Sequence, residues 1–496
     1  MLAVVMMAAG CGGDVRHSGK LRVATTIGII GDLARQVGGD RVEVSSIVPA
    51  GGDPHSYEPV PSDARKVVDA DVILSNGMLL EERSIAKLIR TNASSRATQV
   101  GLADQVQRRG GLVIPLHEDL GLDTLWLGLA VVGKTPGDNA DIKFTLTKVD
   151  GPGHFFVYLT NALGTPEIYF NSADGIDSHD QVTLPPDAHT HVNWAFDKPG
   201  TYKVTVAASI DATGGGSYVT ASSGTFTFVV GQHPTLGTML DKGHADVAVN
   251  LDTRQFSVRT TASGGQSGAD KRAFVPADEA VLSVPDSTKT PIPAEKVFGF
   301  LGAAGSPLWV LPQAVLGKHV HGDNDPHMWE SVKQAELYVR IITDTLIAAD
   351  PAGKTLYQAN SRRYLAQLAA LQTYVVGKVG TIPVQNRQLI TTHDAFGYWA
   401  SEYGMKIAGF VVPNPGQEPS AAQVKKLAAT VAALKPAAVF AEPNLVARAT
   451  VLRQVAKDNN VQVCTIYADA FDQKVTTYLA MIRHNADEMA RCLGGK

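Results

Sequence analysis

The chain has 496 residues, 44% of them hydrophobic and 19% charged, and its 44 basic against 48 acidic residues give a formal charge of -4. At about 150 residues per domain this length implies about three domains, and near-balanced charge supplies no single-sign field for nucleic acid or an anionic bilayer. Cysteine is confined to Cys11, Cys464 and Cys492 with no CxxC pair, which excludes thiolate zinc sites and thioredoxin chemistry.

The first stretch, MLAVVMMAAGCGGDVRHSG, is a short apolar run ending in small residues and a cysteine, an export-signal pattern. Its AAGC at Ala8 to Cys11 resembles a bacterial lipobox, which implies cleavage before Cys11, lipid on its sulfur, and residues 1–19 as signal and tether. Ala8 stands where a lipobox usually has Leu, and no Lys or Arg precedes the apolar run. No later run reaches the roughly 18 apolar residues of a membrane span. An exported chain lies in an oxidising setting, where Cys464 and Cys492 are expected to form a disulfide, with two buried thiols as the alternative.

From Leu21 onward strands and helices alternate: LRVATTI, RVEVSSIV, DVILSN and GLVIPL as strands, IGDLARQVG and PSDARKVVDA as helices. This is the pattern of a parallel α/β lobe over residues 20–122. Residues 123–313 differ in kind. DIKFTLTKV, FFVYLTN, HVNWAF, TYKVTVAAS, GTFTFVVG and HADVAVNL alternate apolar with polar residues between Gly, Pro, Asp and Asn punctuation, which predicts an inserted all-β, sandwich-like domain of short antiparallel strands. Residues 314–349 return to the first lobe. Asp350 then caps a helix with Pro351 in its first turn, and Tyr357, Tyr364, Leu368, Leu371 and Val375 form one apolar stripe along it. That connecting helix, residues 350–380, leads into a second α/β lobe, 381–496, with QLITT, MKIAGFVV, PAAVFAE and VQVCTIY as strands and SAAQVKKLAATVAALK as a helix.

The turn NDPHMW near Asp325 copies the core of GGDPHSYEP at Gly51, and with the β insertion taken as a detour both Asp-Pro-His turns fall in one lobe. His55 follows VEVSSIV, His393 follows QLITT and Asp469 follows CTIY. The carboxyl ends of strands in open parallel sheets face a ligand-binding crevice. With His327 in the second turn, three imidazoles and one carboxylate meet there, a donor set suited to Zn2+. One carboxylate leaves a bound dication about one net positive charge, to be tolerated by the cleft or offset by a nearby acid.

GGDPHSYEPVPSDARKV, SNGMLLE, NDPHMW, DPAGKTLYQANSRRYLAQL, THDAFGYWASEYG, GQEPSAAQVKKL, FAEPNL and YADAFD resemble, in order, the metal-binding solute-binding proteins of ABC transporters for zinc and manganese. The resemblance covers most of 20–120 and 322–496. It implies that His55, His327, His393 and Asp469 are the metal ligands, that an ABC permease is the partner, and that the protein is an extracytoplasmic, lipid-anchored monomer and not an enzyme. His rather than Glu at the third position favours Zn2+, with Mn2+ as the alternative cargo.

The insertion departs from the family pattern. HTHVNWAFDKPGTYKVTVAAS and DKGHADVAV resemble repeats of actinobacterial surface-anchored proteins. Its six histidines, His154, His179, His189, His191, His233 and His244, are candidates for collecting metal, His189 and His191 sharing one strand face at spacing two. The plainer expectation is that they are solvated. His319 and His321 precede the second ligand turn and are further candidates.

Two patterns are set aside. GLAVVGKT, Gly128 to Thr135, matches a phosphate loop by letter, but Pro136, Gly137 and Asp138 follow where a helix must start. HED at His117 lacks the second histidine of a zinc-protease helix, and no GxSxG elbow occurs. A zinc hydrolase and an adhesive surface protein with a structural metal site are the alternative functions.

Overall fold

The computed structural model of the chain describes residues 19–114, 124–134, 140–160, 165–212, 216–231, 238–261, 272–313, 324–412, 415, 419 and 421–494. Cys11, His117, His233, His319 and His321 lie outside the described residues.

In the first lobe β1 (Leu21–Thr25), β2 (Val42–Ser46), β3 (Val72–Ser75) and β4 (Thr98–Gly101) form a parallel sheet in the order β2-β1-β3-β4. Central β1 hydrogen-bonds to neighbours on both sides, and its Val23 and Ala24 are buried on opposite faces, as expected of a covered parallel strand. Helices α1 (Gly28–Gly38), α2 (Pro61–Val68), α3 (Arg83–Asn92) and α4 (Leu102–Arg108) connect and cover the strands. Ile29, Ile30, Leu33, Ala34 and Val37 make the buried face of α1. The apolar run at Gly111 is not a strand in its described part, Gly111 to Ile114. The backbone there is satisfied otherwise: the Gly111 amide donates to the Val106 carbonyl at 2.9 Å and the Ile114 amide to the Tyr398 hydroxyl at 3.1 Å.

Strands from Leu125–Val132 through Pro307–Leu311 form a β region containing no α-helix among the described residues. Among the described residues it has three sheets of five, five and six strands. The pairing is not wholly antiparallel. Gly243–Asn250 runs parallel to Leu125–Val132, and Ala280–Val284 runs parallel to both Val219–Val230 and Thr238–Leu240. Inward residues of all three sheets, including Leu127, Phe144, Phe155, Trp194, Tyr202 and Phe228, build one continuous core. Gly128 lies inside the strand Leu125–Val132, bonded along both edges, so the first five phosphate-loop letters, Gly128 to Val132, occupy sheet.

The chain leaves and re-enters the first lobe at one place, because the Asp325 amide donates to the Ile114 carbonyl at 2.8 Å. Beyond it α5 (Val332–Ala349) begins under a Ser331 cap that accepts the Gln334 amide. A short 3-10 turn, Pro351–Gly353, leads into the 27-residue α6 (Lys354–Gly380), about 40 Å long at 1.5 Å per residue. Tyr357, Tyr364, Leu368, Leu371 and Val375 are buried along it as the stripe predicts. Asp350 accepts Arg41 through two guanidinium nitrogens at 2.8 and 2.9 Å and the Tyr357 hydroxyl at 2.6 Å, pinning the start of α6 to the first lobe.

In the second lobe Gln388–His393 pairs in parallel with Lys406–Val412, and Ala438–Ala441 with Gln462–Thr465. Helices α7 (Gly397–Tyr403), α8 (Ala421–Leu434), α9 (Val446–Asp458) and α10 (Tyr478–Leu493) surround them. Cys464, in the strand Gln462–Thr465, is disulfide-bonded to Cys492 in α10. A single core runs from Val23 and Leu74 through α5 and α6 to Phe440 and Met489, so the lobes share their packing. Polar contacts cross the seam as well: Trp329 Nε1 donates to the Ala468 carbonyl at 2.9 Å, the Tyr478 hydroxyl to the Trp329 carbonyl at 2.6 Å, and the Gly51 amide to the Phe471 carbonyl at 2.8 Å. No helix among the described residues is long and apolar enough to cross a membrane.

Candidate metal centre

Each of the four side chains is presented by a turn or strand end at the seam. His55 lies in the turn after β2, where its amide donates to Asp53 Oδ1 at 3.0 Å. The second Asp-Pro-His turn repeats this: the His327 amide donates to Asp325 Oδ1 at 2.9 Å. In both, the aspartate two residues before the histidine closes an Asx turn and proline fixes the intervening backbone, so the sequence copy is also a copy of local geometry. His393 is the last residue of Gln388–His393, and Asp469 follows Gln462–Thr465 by four positions, both at carboxyl ends of parallel strands.

The structure brings all four together, and all are buried. His55 Nε2 lies 3.2 Å from His327 Nε2. Asp469 Oδ2 is 3.1 Å from His393 Nε2 and 3.6 Å from His55 Nε2, and its Oδ1 is 3.4 Å from His327 Nε2. Four donors bonded tetrahedrally to zinc at 2.0–2.1 Å stand about 3.4 Å apart. Both Asp469 oxygens are buried without a hydrogen-bond partner, and so is His393 Nε2. Burying a carboxylate this way is costly unless a cation or charged donor meets it.

The far sides of two rings are held by carboxylates. His327 Nδ1 lies 2.8 Å from Asp325 Oδ1 and His393 Nδ1 lies 2.8 Å from Glu442 Oε1, the latter also accepting the Thr392 hydroxyl. A carboxylate at Nδ1 fixes the tautomer that aims the Nε2 lone pair into the site and makes it more basic. Burial opposes the charged form of His393, yet the carboxylates of Glu442 and Asp469 outweigh it and hold the imidazole well above its ordinary value. Burial likewise opposes the Asp469 carboxylate, but His393 and His327 hold it well below the usual range. Glu330, buried beneath the site without a hydrogen-bond partner, is pushed well above the carboxylate range by desolvation and by Asp469, Glu442 and Asp325. Asp325 and Glu442 are the acids that contact the histidine rings directly.

His55, His327, His393 and Asp469 are legible in the sequence, whereas the contacts of Asp325 and Glu442 with the rings of His327 and His393 emerge only in the fold. A signal for Glu442 was present: a lone acid directly after the apolar strand Ala438–Ala441, at a carboxyl end facing the same crevice.

The insertion's histidines divide. His154 pairs with Asp197 at 2.7 Å and His179 with Asp177 at 3.1 Å, both partly or fully exposed, in line with solvated side chains. His189, His191 and His244 do not fit that expectation, because they cluster with little exposure against Trp126 and Asp246. The other potential donor cluster, Cys464, Glu488 and Cys492, has its two sulfurs committed to the disulfide.

A family model described as ZnuA, zinc-uptake complex component A, periplasmic, matches residues 23–184 and 240–492, leaving 185–239, with His189 and His191, unmatched. The chain belongs to this family. It is 31% identical over 167 residues to the manganese-binding lipoprotein MntA of Halalkalibacterium halodurans, covering 33% of this chain and 55% of that protein. It is 31% identical over 176 residues to the zinc-binding protein TroA of Treponema pallidum, covering 34% and 57%. The chain thus spans little more than half the length of these curated relatives in the matched region. Against the solved structure of the periplasmic zinc-binding protein TroA of Treponema pallidum the TM-score is 0.49 at 17% identity, covering 96% of this chain and 100% of that one.

Proposed function

We propose that this protein is the extracytoplasmic solute-binding component of an ABC metal importer, with Zn2+ as its cargo, held by His55, His327, His393 and Asp469 and delivered to a membrane permease. The observation that carries this reading is the convergence of the four donors in a buried seam, all within 4.8 Å of one another, with Asp469 3.1–3.6 Å from each imidazole and His55 3.2 Å from His327, close to the spacing of a tetrahedral zinc shell. His55 and His327 belong to the first lobe, and His393 and Asp469 to the second. Cargo would therefore bridge the lobes, and metal occupancy would be coupled to their relative position. The shared core along α6 and the seam hydrogen bonds favour a small rearrangement over a wide hinge.

Three imidazoles and one carboxylate favour zinc over manganese, which prefers oxygen-rich octahedral shells. The relatives' names include both metals and do not decide between them. Four protein donors leave no position for an attacking water, so capture fits better than hydrolysis. In the same reading Cys11 carries the lipid tether, residues 20–122 and 314–349 make the first lobe, 350–380 the connecting helix, 381–496 the second lobe, and 123–313 a separable insertion in a monomeric protein.

The test is competition between Zn2+ and Mn2+ for metal-stripped protein, followed with a zinc-chelating dye. Zinc should displace manganese, and His327→Ala and His393→Ala should each remove the tight zinc site. Preferential retention of manganese would overturn the cargo assignment, and unchanged zinc affinity in both variants would overturn the site.

A further inference from the structure

The geometry points to a second transition-metal site inside the β region, in which His189, His191 and His244 bind a late first-row divalent cation such as Zn2+, separate from the cleft between the lobes.

The sheet builds this cluster by register. His189–His191 pairs with Leu125–Val132, which pairs in turn with Gly243–Asn250. His191 therefore sits opposite Gly128, Gly128 opposite Asp246, and Trp126 opposite His244. Spacing of two puts His189 and His191 on one face of their strand, and His244 and Asp246 on one face of theirs. A ring nitrogen from each histidine lies within 4.8 Å of the others, and the ring centroids are 4.8 to 5.7 Å apart.

Three further features suit a ligand cage. His191 stacks on Trp126 with centroids 3.6 Å apart and planes inclined by 14°, which fixes the ring plane. Gly128 keeps the floor open: a Cβ there would lie 2.3 Å from Asp246 Oδ1 and 3.2 Å from His191 Cδ2. Asp246 lies 3.4 Å from His244 Nε2 and 3.8 Å from His191 Nε2, and its Oδ1 is buried without a hydrogen-bond partner. Arg259 grips the other oxygen through Nε at 3.0 Å and Nη2 at 2.7 Å. That ion pair cancels the Asp246 charge, leaving the carboxylate as an orienting group and the imidazoles as the donors.

Three imidazole nitrogens are a donor set that zinc accepts, its shell completed by water or an anion. The nitrogens must close from within 4.8 Å of one another to about 3.4 Å in a tetrahedral shell, a change side-chain rotation can supply. A purely structural polar cluster would need only the Asp246–Arg259 pair. Gathering three weakly basic rings around it adds desolvation cost that a bound cation would offset.

The test uses the full chain, stripped of metal and titrated with Zn2+ alone under a chelating dye, with Co2+ visible absorption as a second readout. In a His327→Ala/His393→Ala background the protein should still bind one equivalent of Zn2+ and give the intense d–d bands of a low-coordinate Co2+ site. Adding His191→Phe, which keeps the stack on Trp126, together with His244→Asn should abolish both signals while the thermal unfolding midpoint of the metal-free protein stays within a few degrees. The inference fails if the His327→Ala/His393→Ala protein binds no Zn2+, or if the further His191→Phe/His244→Asn protein still binds an equivalent. Because these readouts are taken with the cleft site disabled, they stand or fall separately from the transport reading.

Discussion

The carbonyl of Ile114 accepts the amide of Asp325, so the two ends of a long detour meet in one hydrogen bond beside the second Asp-Pro-His turn. The distance along the chain between His55 and His327 therefore has no counterpart at the site.

Removal of residues 123–313 should leave a protein that folds and binds zinc with affinity within about threefold of the full chain. The β region has its own core, distinct from the one shared by the lobes. Among the described residues its polar ties to the first lobe include Arg83, which reaches Asp141 at 3.0 Å and the Thr183 carbonyl at 2.9 Å. Both side chains of this pair keep some contact with water, and ion pairs that solvent reaches contribute about 1 kcal/mol or less. Chelator competition and denaturant melts on the shortened protein check this, and a chain that aggregates or has lost the cleft site would show that the β region is part of the fold's support.

Much of this arrangement was legible in the sequence because it rests on periodicity. The stripe Tyr357–Tyr364–Leu368–Leu371–Val375 gives the buried face of α6, and histidines at the ends of apolar strands give the crevice. Strand alternation shows which side chains share a face, but it does not show which sheet a strand joins or what covers that face. Hence antiparallel pairing is expected throughout, whereas Gly243–Asn250 runs parallel to Leu125–Val132 and the described strands divide among three sheets. For the same reason His191 and His244 read as solvated, since Trp126 and Asp246 cover them from neighbouring strands. Glu442 was in plain sight, but its role depends on which ring nitrogen it meets.

Glu442→Gln should weaken zinc binding about 10- to 100-fold without removing it. The substitution keeps the shape and one oxygen near His393 Nδ1, but it loses the charge that makes the ring a better donor and offsets the cargo. Asp325→Asn should act in the same range, because Asp325 Oδ1 holds both the amide and Nδ1 of His327. Chelator competition at fixed pH gives the ratio, and an unchanged affinity in both variants would show that the four donors are positioned by packing alone.

Zinc affinity should rise with pH by about tenfold per unit across neutral pH, with about one proton released per zinc bound. In the metal-free protein the Glu442 and Asp469 carboxylates hold a proton on His393, which zinc must displace. The linkage has a definite sign. A raised His393 contributes stability that is fully present below about 6.5, its unfolded value, and is lost as pH rises through the folded value. A depressed Asp469 contributes stability present above about 3.9 and lost as pH falls through its folded value. Metal-free protein is thus favoured on the acidic side and zinc-loaded protein on the alkaline side. Calorimetric titrations in buffers of different ionisation enthalpy count the protons, and a buffer-independent enthalpy would mean that His393 is already neutral before zinc arrives.

Replacing Cys464 and Cys492 together by alanine should lower stability by about 3–4 kcal/mol while changing zinc affinity little. The disulfide closes a loop with a sequence separation of 28, which contains Tyr467, Asp469 and the start of α10. On the chain-entropy account a loop of this size loses a few kcal/mol of unfolded-state freedom when cross-linked. The Asp469 loop keeps other anchors. The Tyr467 amide donates to Asn485 Oδ1 at 2.9 Å, Asn485 Nδ2 donates back to the Tyr467 carbonyl at 2.7 Å, and Trp329 Nε1 holds the Ala468 carbonyl at 2.9 Å. These bonds position the carboxylate whether or not the sulfurs are joined, so the substitution should move the denaturant midpoint and not the zinc competition curve. A large loss of zinc affinity at unchanged stability would show instead that the cross-link sets the position of Asp469.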